Sequence, residues 1–273
     1  MVQKSAADTS TASAAAAPEA AAGSGRLAGR RALVTGATSG IGRAIALAYA
    51  AEGATVAVAG RDAGRGAAAV EQIERAGGSA TFVAADLTTV AAVRQLARDA
   101  LAALGGSLDV LVNNAGVYPP TATETVDEPT FEQVIATNVR APFFLVQALL
   151  PALEASRGTI VNVGSWGAAV GLPAGVLYAA SKATLEQLTR GWAAELGPRG
   201  VRVNTVSPGI TVTDGTAAIA PALEHVGRAL PAGRLAQPHE IASAAVYLAG
   251  DESAYVHGAT LLVDGGALST RAI

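Results

Sequence analysis

The 273-residue chain contains no cysteine, so disulfide bonds, thiolate nucleophiles and zinc sites built on sulfur are excluded. This absence fits a reducing compartment, and we expect a cytoplasmic protein. Histidine is scarce as well: His225, His239 and His257 show neither metal-ligand spacing nor a serine–histidine–aspartate arrangement. We therefore predict that the protein holds no metal ion.

Concentrated positive charge and long hydrophobic runs are also lacking. The 19 basic residues are scattered, the net charge is −3, and no basic run is interleaved with aromatic residues. A nucleic-acid partner is therefore not expected, because such binders need a concentrated basic surface. No apolar stretch approaches the roughly 20 residues needed to cross a bilayer without meeting a charge or a glycine, so we predict no membrane span.

The first 27 residues are rich in alanine, serine and threonine and poor in branched and aromatic residues. Such a segment buries too little apolar surface to offset the entropy of ordering, so residues 1–27 are predicted to be a disordered tail. A secretory signal is the alternative, but Asp8 and Glu19 bracket the apolar part and no leucine precedes Leu27. Residues 28–273 are predicted to form one domain.

From Arg31 onward, short β-branched segments alternate with longer alanine- and leucine-rich segments of helical period. This alternation is typical of repeated βαβ units around a parallel sheet. The predicted strands are Ala32–Thr35, Thr55–Ala59, Thr81–Ala84, Val110–Asn113, Thr159–Val163, Val201–Val206 and Thr260–Val263. Helices are predicted to begin near Ile41, Ala63, Val90, Phe131, Tyr178 and His239. The predicted fold class is α/β: a single Rossmann-type, doubly wound parallel sheet of about seven strands with helices on both faces.

A glycine-rich turn follows the first predicted strand and opens the first predicted helix. Gly36, Gly40 and Gly42 have the spacing Gly-x-x-x-Gly-x-Gly, and Arg43 follows them, so the lysine of a triphosphate-binding loop is absent. Glycines at such a turn let the backbone approach a pyrophosphate, and the helix N-terminus offers free N–H groups. The turn alone could be ordinary structural punctuation, but its position favours binding of a dinucleotide.

The end of the second predicted strand bears on the choice between NAD and NADP. An acidic residue at this point usually binds the ribose hydroxyls of NAD. Here the strand ends Gly60-Arg61-Asp62. A cation at Arg61 suits the 2′-phosphate of NADP, so NADP(H) is favoured over NAD(H). Asp62 keeps the choice open, although its preferred interpretation is an N-cap on the helix that begins at Ala63.

Tyr178 and Lys182 are four residues apart and therefore share a helix face. A tyrosine hydroxyl has an ordinary pKa of about 10, and a neighbouring ammonium lowers that pKa towards neutrality. The spacing therefore predicts a tuned proton donor. Taken alone, such a pair commonly means only a tyrosine packed on a lysine stem, so the interpretation depends on the rest of the chain.

The chain resembles the short-chain dehydrogenase/reductase family from Ala28 to Leu268, through the glycine turn, the segment 113–116, and the positions described next. The resemblance implies that Tyr178 is the general acid/base and that Lys182 binds the nicotinamide ribose. It implies that Ser165 polarises the substrate oxygen and that Asn138 holds a proton-relay water. It further implies these cofactor-binding positions: Gly36, Thr38, Ser39, Gly40, Ile41, Gly42, Arg61, Asp86, Leu87, Asn113, Ala115, Gly116, Tyr178, Lys182, Pro208, Gly209, Thr211 and Thr213.

Several positions depart from the pattern common in this family. Thr38 and Ser39 are neutral, whereas many NADP-using relatives carry a basic residue just before the second glycine. Gly164 stands where relatives often have serine, and Thr211 where many have an aliphatic residue. None of these changes removes a catalytic group. The glycine spacing also separates the chain from the sugar-nucleotide epimerase and dehydratase branch.

The resemblance implies an NADPH-dependent enzyme that interconverts a ketone and a secondary alcohol. A mobile lid is predicted over residues 213–234, and the substrate pocket is expected to be mainly apolar. Its candidate lining residues are Tyr118, Trp166, Val170, Leu172, Thr216, Ile219 and Leu223. Two alternatives stay open: a 3-oxoacyl-(acyl carrier protein) reductase, which would need a basic docking patch, and a catalytically idle NADP-binding sensor. Because relatives usually assemble as tetramers, a homo-oligomer, tetramer or dimer, is also implied.

Overall fold

The computed structural model describes residues 25–120, 122–173, 175–217 and 220–270. Seven strands are present: β1 Arg31–Thr35, β2 Thr55–Gly60, β3 Ser79–Ala84, β4 Val110–Asn113, β5 Thr159–Val163, β6 Arg202–Pro208 and β7 Thr260–Val263. Eight α-helices are described: α1 Gly40–Ala51, α2 Ala63–Arg75, α3 Val90–Ala103, α4 Glu128–Ile135, α5 Ala141–Ser156, α6 Val176–Leu196, α7 Ala220–Ala229 and α8 Pro238–Ala249.

The seven strands form one parallel sheet in the order β3-β2-β1-β4-β5-β6-β7. Its central strands are buried on both faces because helices cover both sides. Leu33 and its neighbour Val34 show this, since they point in opposite directions into two separate apolar clusters. The cluster around Val34 includes α1 and α8, and that around Leu33 includes α3, α5 and α6. The predicted fold class is therefore confirmed.

The strand order reverses between β1 and β4, which lie side by side although two βα units separate them along the chain. Loops that leave the carboxyl ends of these two strands run in opposite directions and leave a crevice between them. Ligands of open α/β sheets bind at such a switch point. The glycine turn after β1 and the segment 114–116 after β4 form its two walls.

The helix predicted to begin near Phe131 starts earlier in the structure and is irregular. It begins at Glu128, where the Asp127 side chain accepts a hydrogen bond from the Thr130 amide at 2.9 Å, and it continues to Ser156. Residues Ala136–Arg140 form a π-helical turn between α4 and α5. By length and composition the whole helical segment could cross a membrane, but α5 places Leu145, Leu149 and other apolar residues in the protein core.

Three further expectations need correction. Leu27, which the prediction places in the tail, is fully buried, and its backbone amide donates to Glu52 O at 2.9 Å. The packed domain thus begins before residue 28, while residues 1–24 of the predicted tail lie outside the described part. Helix α6 begins at Val176 and not at Tyr178. The predicted lid contains helix α7, although no helix was predicted there.

Candidate active site

A cavity of about 750 Å³ runs along the carboxyl edge of the sheet from the end of β2 to helix α6. It gathers all of the predicted site residues except Asn113 and Asn138. Those that line it are Gly36, Thr38, Ser39, Gly40, Ile41, Gly42, Arg61, Asp86, Leu87, Ala115, Gly116, Ser165, Tyr178, Lys182, Pro208, Gly209, Thr211 and Thr213. Its volume is in the range of cofactor and ligand sites.

The glycine turn packs directly against the end of β4. Gly36 has a φ of 63°, and a Cβ built on it would lie 2.9 Å from the Cα atom of Ala115. A Cβ on Gly42 would clash with the side-chain amide of Asn114 and with the Gly36 carbonyl. At Gly36 both the positive φ and the lack of space require glycine, and at Gly42 the lack of space does. The turn is therefore held close to β4 while its backbone stays open to the cavity.

Two residues that were not among the predicted site residues hold this turn in place. Asn114 Nδ2 donates to the carbonyl oxygens of Thr35 and Gly36 at 2.8 and 3.2 Å. Thr35 Oγ1 accepts from the backbone amides of Asn114 and Ala115 at 3.0 and 3.1 Å. The sequence gives one indication of this role: Thr35 ends the otherwise apolar predicted strand Ala32–Thr35. A hydroxyl buried at such a position needs hydrogen-bond partners.

Helix α1 begins at Gly40, and its first turn faces the cavity. The N-cap residue Ser39 makes no side-chain hydrogen bond to the helix. Amide N–H groups of the first turn therefore remain available, and together with the helix dipole they suit a phosphate group. The residues present fit the pyrophosphate of a dinucleotide at this point.

Three charged side chains lie at the β2 end of the site, and two of them line the cavity. Asp62 caps α2 as predicted: its carboxylate accepts from the Arg65 backbone amide at 2.9 Å. The same carboxylate forms an ion pair with the Arg65 side chain at 3.1 Å, and this pair is largely exposed. Arg61 and Arg65 both line the cavity. The role of Arg65 in lining the cavity was not predicted, because an arginine four residues after Arg61 is equally typical of a solvent-exposed helix face.

Tyr178 is half-buried on the first turns of α6 and faces the cavity. Burial raises its pKa, and the hydroxyl of Ser165 acts in the opposite direction. The expectation that Lys182 lowers the pKa of Tyr178 is not met in this structure. The Lys182 Nζ atom lies 5.9 Å from the tyrosine ring centroid and donates instead to the Val163 carbonyl at 2.7 Å.

Lys182 is 4% exposed and reaches the cavity through the gap between β5 and α6. Burial lowers its pKa to about 8, and the charge of Glu186 opposes this shift. Ser165 lies on the turn after β5, where its hydroxyl accepts from the Gly167 amide at 3.2 Å. Ser165, Tyr178 and Lys182 thus come together at the β5 end of the cavity, as the sequence predicts.

Asn138 lies in the π-helical turn, behind the cavity wall. Its Oδ1 accepts from the Val117 amide at 2.9 Å, and its Nδ2 donates to the Val117 carbonyl at 2.9 Å and to Ser181 Oγ at 3.0 Å. π-Helical turns often occur at functional sites, where the extra residue redirects a side chain. Asn138 therefore joins the loop after β4 to helix α6, which carries Tyr178 and Lys182.

The prediction that Asn113 contacts the cofactor does not agree with its position. Its side chain is buried and donates to Asn162 Oδ1 on β5 at 2.8 Å, away from the large cavity. Side chains alternate between the two faces of a strand, so a shift of one residue reverses the direction. Asn114, one residue later, is the one that reaches the glycine turn.

The loop after β6 forms one wall of the cavity. Thr211 forms a β-bridge with Ala236, and Thr216 Oγ1 donates to the Thr211 carbonyl at 2.8 Å while accepting from the Thr213 amide at 2.8 Å. Opposite this loop, the ring of Tyr118 contacts Tyr178 edge-on, with centroids 6.1 Å apart. The predicted lining residue Ile219 lies outside the described residues.

A doubly wound sheet, a glycine turn at its switch point and a tyrosine–lysine pair beside a serine together define a nicotinamide-dependent oxidoreductase. The comparisons agree. A family model described as enoyl-(acyl carrier protein) reductase matches residues 36–267. The chain belongs to the short-chain dehydrogenase/reductase family and to its single-domain branch, whose members act on CH–OH groups.

Relatives with different described activities are similar to nearly the whole chain. D-Threitol dehydrogenase of Mycolicibacterium smegmatis is 42% identical over 244 residues, which are 88% of this chain and 94% of that protein. A 3-oxoacyl-[acyl-carrier-protein] reductase of Staphylococcus aureus is 38% identical over 241 residues, 87% of this chain and 97% of the relative.

Solved structures agree with the fold throughout. A dehydrogenase/reductase from Sinorhizobium meliloti is 41% identical with a TM-score of 0.85, and the match covers 89% of this chain and 96% of that chain. A structure from Beutenbergia cavernae, described as an NAD(P)-dependent gluconate 5-dehydrogenase with bound NADP, is 41% identical with a TM-score of 0.84. That match covers 89% of this chain and 98% of the other.

Proposed function

We propose that the protein is an NADPH-preferring reductase that interconverts a neutral ketone and a secondary alcohol. The observation that carries this proposal is one continuous cavity with different chemistry at its two ends. Arg61 and Arg65 line it beside β2, whereas Tyr178, Lys182 and Ser165 line it beside β5. Strands β1 and β4 and the glycine turn separate the two groups, an arrangement that suits an extended dinucleotide.

The residues divide the work of binding and proton transfer. The first turn of α1 would hold the pyrophosphate, and Lys182 would hold the nicotinamide ribose. When bound, the nicotinamide supplies the hydride that reduces the carbonyl carbon. Tyr178 donates its hydroxyl proton to the carbonyl oxygen, so that hydride and proton together give the alcohol. Ser165 donates a hydrogen bond to the same oxygen and orients it towards Tyr178.

Asn138 supports proton return to Tyr178. Its side chain is fixed by Val117 and Ser181 and lies 3.4 Å from a Cβ position built on Gly116, next to the cavity. A water held by this group and by Lys182 would connect the active site to solvent. The role of Asn138 is therefore to position a proton relay, in agreement with the family resemblance.

The β2 end supports the preference for NADPH. Asp62 directs its carboxylate to the α2 N-terminus and to Arg65, and so it does not replace the acidic residue that binds NAD ribose hydroxyls. Arg61 and Arg65 offer guanidinium groups to a 2′-phosphate, which arginine binds well. The neutral Thr38 and Ser39 line the same region and add hydroxyl groups.

The substrate end of the cavity is mainly apolar. Its described lining side chains include Tyr118, Trp166, Leu172, Pro173, Thr216 and Leu223. Among the described cavity-lining residues the arginines are Arg61 and Arg65, both beside β2 and far along the sheet from Tyr178. A substrate carboxylate would therefore lack a bidentate partner here, which favours a neutral ketone.

A 3-oxoacyl-(acyl carrier protein) reductase is the second candidate, because one such enzyme is 38% identical to the chain. The two candidate enzymes differ in the kind of molecule that carries the reacting carbonyl: a 3-oxoacyl thioester or a simple ketone. A 3-oxoacyl thioester is tested against simple cyclic and aryl ketones under equal conditions. Faster turnover of the thioester by tenfold or more, in kcat/KM, would favour the carrier-protein enzyme.

Titration with NADPH and NADH, followed by a ketone panel with the tighter cofactor, tests the main proposal. We expect tighter binding of NADPH and reduction of at least one neutral ketone. Stronger binding of NADH would contradict the assignment of Arg61. Binding of NADPH without turnover of any ketone, alcohol or thioester would instead indicate a catalytically idle sensor.

We further propose that the protein is a cytoplasmic homo-oligomer. Large apolar side chains are exposed on the described surface, among them Phe131, Phe143 and Leu262. Phe143 also packs beside Trp192 on α6, with ring centroids 6.0 Å apart, so α5 and α6 share an apolar surface. Light scattering should give a multiple of the 27.0 kDa chain mass. A mass equal to one chain would contradict this.

A further inference from the structure

Glu186 lies one helical turn after Lys182 on α6, outside the cavity but directly behind its wall. Its side chain is only partly exposed. Glu186 Oε1 accepts a hydrogen bond from the Ser207 hydroxyl on β6 at 3.3 Å. Burial raises the pKa of Glu186, and the Ser207 hydroxyl and the Ser165 backbone amide oppose this rise. A single carboxylate therefore contacts the turn that carries Ser165 and lies beside the lysine of the active site.

Because Gly164 has no side chain, the Glu186 carboxylate can occupy the space beside it. A Cβ built on Gly164 would lie 2.8 Å from Glu186 Oε1 and 2.8 Å from Thr205 Cγ2, both too close for normal packing. The backbone itself is regular here, since the Gly164 amide donates to Val206 O at 2.8 Å and extends the β5–β6 ladder. The glycine at this position, where family members often have serine, is thus explained by the neighbouring glutamate.

We propose that Glu186 is a positioning residue for the Ser165 turn and for the neighbouring Lys182, with Gly164 as its required neighbour. The proposal rests on the roles given above to Ser165 and Lys182. It adds a group that touches neither substrate nor cofactor. The carboxylate lies against the turn that carries Ser165 and one helical turn after Lys182.

The charges around Glu186 determine the sign of its effect. Lys182 and Arg190, both on α6, are the charged groups that lower the pKa of Glu186, whereas burial raises it more strongly. The elements packed against it contribute the Ser207 hydroxyl from β6 and the Ser165 amide from the turn after β5. Because Glu186 raises the pKa of Lys182 against the effect of burial, removal of its charge lowers the lysine pKa further below about 8.

The first test separates charge from hydrogen bonding through the pH profile of ketone reduction. Glu186→Gln keeps an acceptor oxygen, so kcat on the acid side should stay within about threefold of wild type. Its high-pH limb should move down by roughly half to one pH unit, since Lys182 loses its proton earlier. Glu186→Ala should lower kcat by about 10- to 100-fold at every pH, because the Ser165 turn loses its anchor.

Glu195 provides the matched control, because it is an exposed glutamate on the same helix. Glu195→Gln and Glu195→Ala should leave both kcat and the pH profile unchanged. The proposal is overturned if Glu186→Ala keeps kcat within twofold and the profile unshifted. It is also overturned if the Glu195 variants produce the same changes, since a general charge effect of the helix would then explain them.

The second test does not depend on activity and so stands even if the proposed reaction is wrong. Gly164→Ala should lower the thermal midpoint strongly in wild type and clearly less in the Glu186→Ala background, because one of the two close contacts is then gone. Additive changes in the midpoint would show that the two residues do not interact and would overturn the pairing. If the midpoints couple but no ketone is reduced, the pairing stands and the proposed function fails.

Discussion

Arg61→Ala offers the sharpest test of cofactor choice. A hydrogen bond to a charged group contributes about 1.5–3 kcal/mol. Arg61 is exposed, so we take the lower part of this range, which corresponds to roughly a 10- to 30-fold loss at 1.4 kcal/mol per factor of ten. The loss should appear in kcat/KM for NADPH and leave that for NADH within about twofold, because NADH has no 2′-phosphate.

The assay measures both cofactors with one ketone at fixed saturating concentration. Arg75→Ala is the matched control, since Arg75 is an exposed arginine at the far end of α2, paired with Glu71. Added salt should reduce the difference between wild type and Arg61→Ala, because exposed charges are screened within about 8 Å at physiological ionic strength. Equal losses for NADPH and NADH, or no loss at all, would refute the assignment of the 2′-phosphate site to Arg61.

Three further outcomes are expected. Tyr178→Phe should lower kcat by about 100- to 10,000-fold, the range of general acid catalysis, while NADPH binding followed by fluorescence stays intact; a variant with most of its activity would remove Tyr178 from the mechanism. Lys182 has a pKa of about 8 against an ordinary 10.5, so the folded chain binds fewer protons between these values. The free energy of unfolding, measured in urea against Lys182→Met, should therefore rise with pH across that window, by at most about 3 kcal/mol, and a flat or falling difference would contradict the buried lysine. Tyr118→Ala should raise the kcat/KM of bulky aryl ketones relative to small cyclic ones by several-fold, since Tyr118 fills space beside Tyr178 and a Cβ on Gly215 would already clash with its hydroxyl; an unchanged ratio would place the substrate elsewhere.

Much of the fold could be predicted because its strands are short, β-branched and separated by turn residues. Strand β5 agrees with its predicted bounds, β2 is one residue longer at its end, and β6 starts one residue later and ends two residues later than predicted. Helix α2 was predictable from Asp62, whose carboxylate caps it as expected. Helix α7 was missed because two prolines and small residues around it indicate a loop, whereas the rest of its sequence supports one short helix.

The candidate site was predictable as a set of residues but not in its contacts. Family motifs identified Tyr178 and Lys182, yet they gave no sign that Lys182 would donate to Val163 O. Asn113 was assigned to the cofactor from its place in a motif, and only the direction of the β4 side chains separates it from Asn114. Glu186 escaped notice because it belongs to no motif, although it lies one helical turn after Lys182, and it becomes relevant only when β6 and the turn after β5 pack against α6.

The π-helical turn at Ala136–Arg140 has a consequence for protein engineering. It holds one more residue than a regular helical turn, and one residue corresponds to about 100° of rotation around the helix axis. Helix α4 packs against α6 and α5 packs against α3, so the extra residue sets the angle between these two packing faces. Deletion of a single residue here would turn one face away from its partner, and for that reason this segment, apart from Asn138, should tolerate substitutions far better than changes in length.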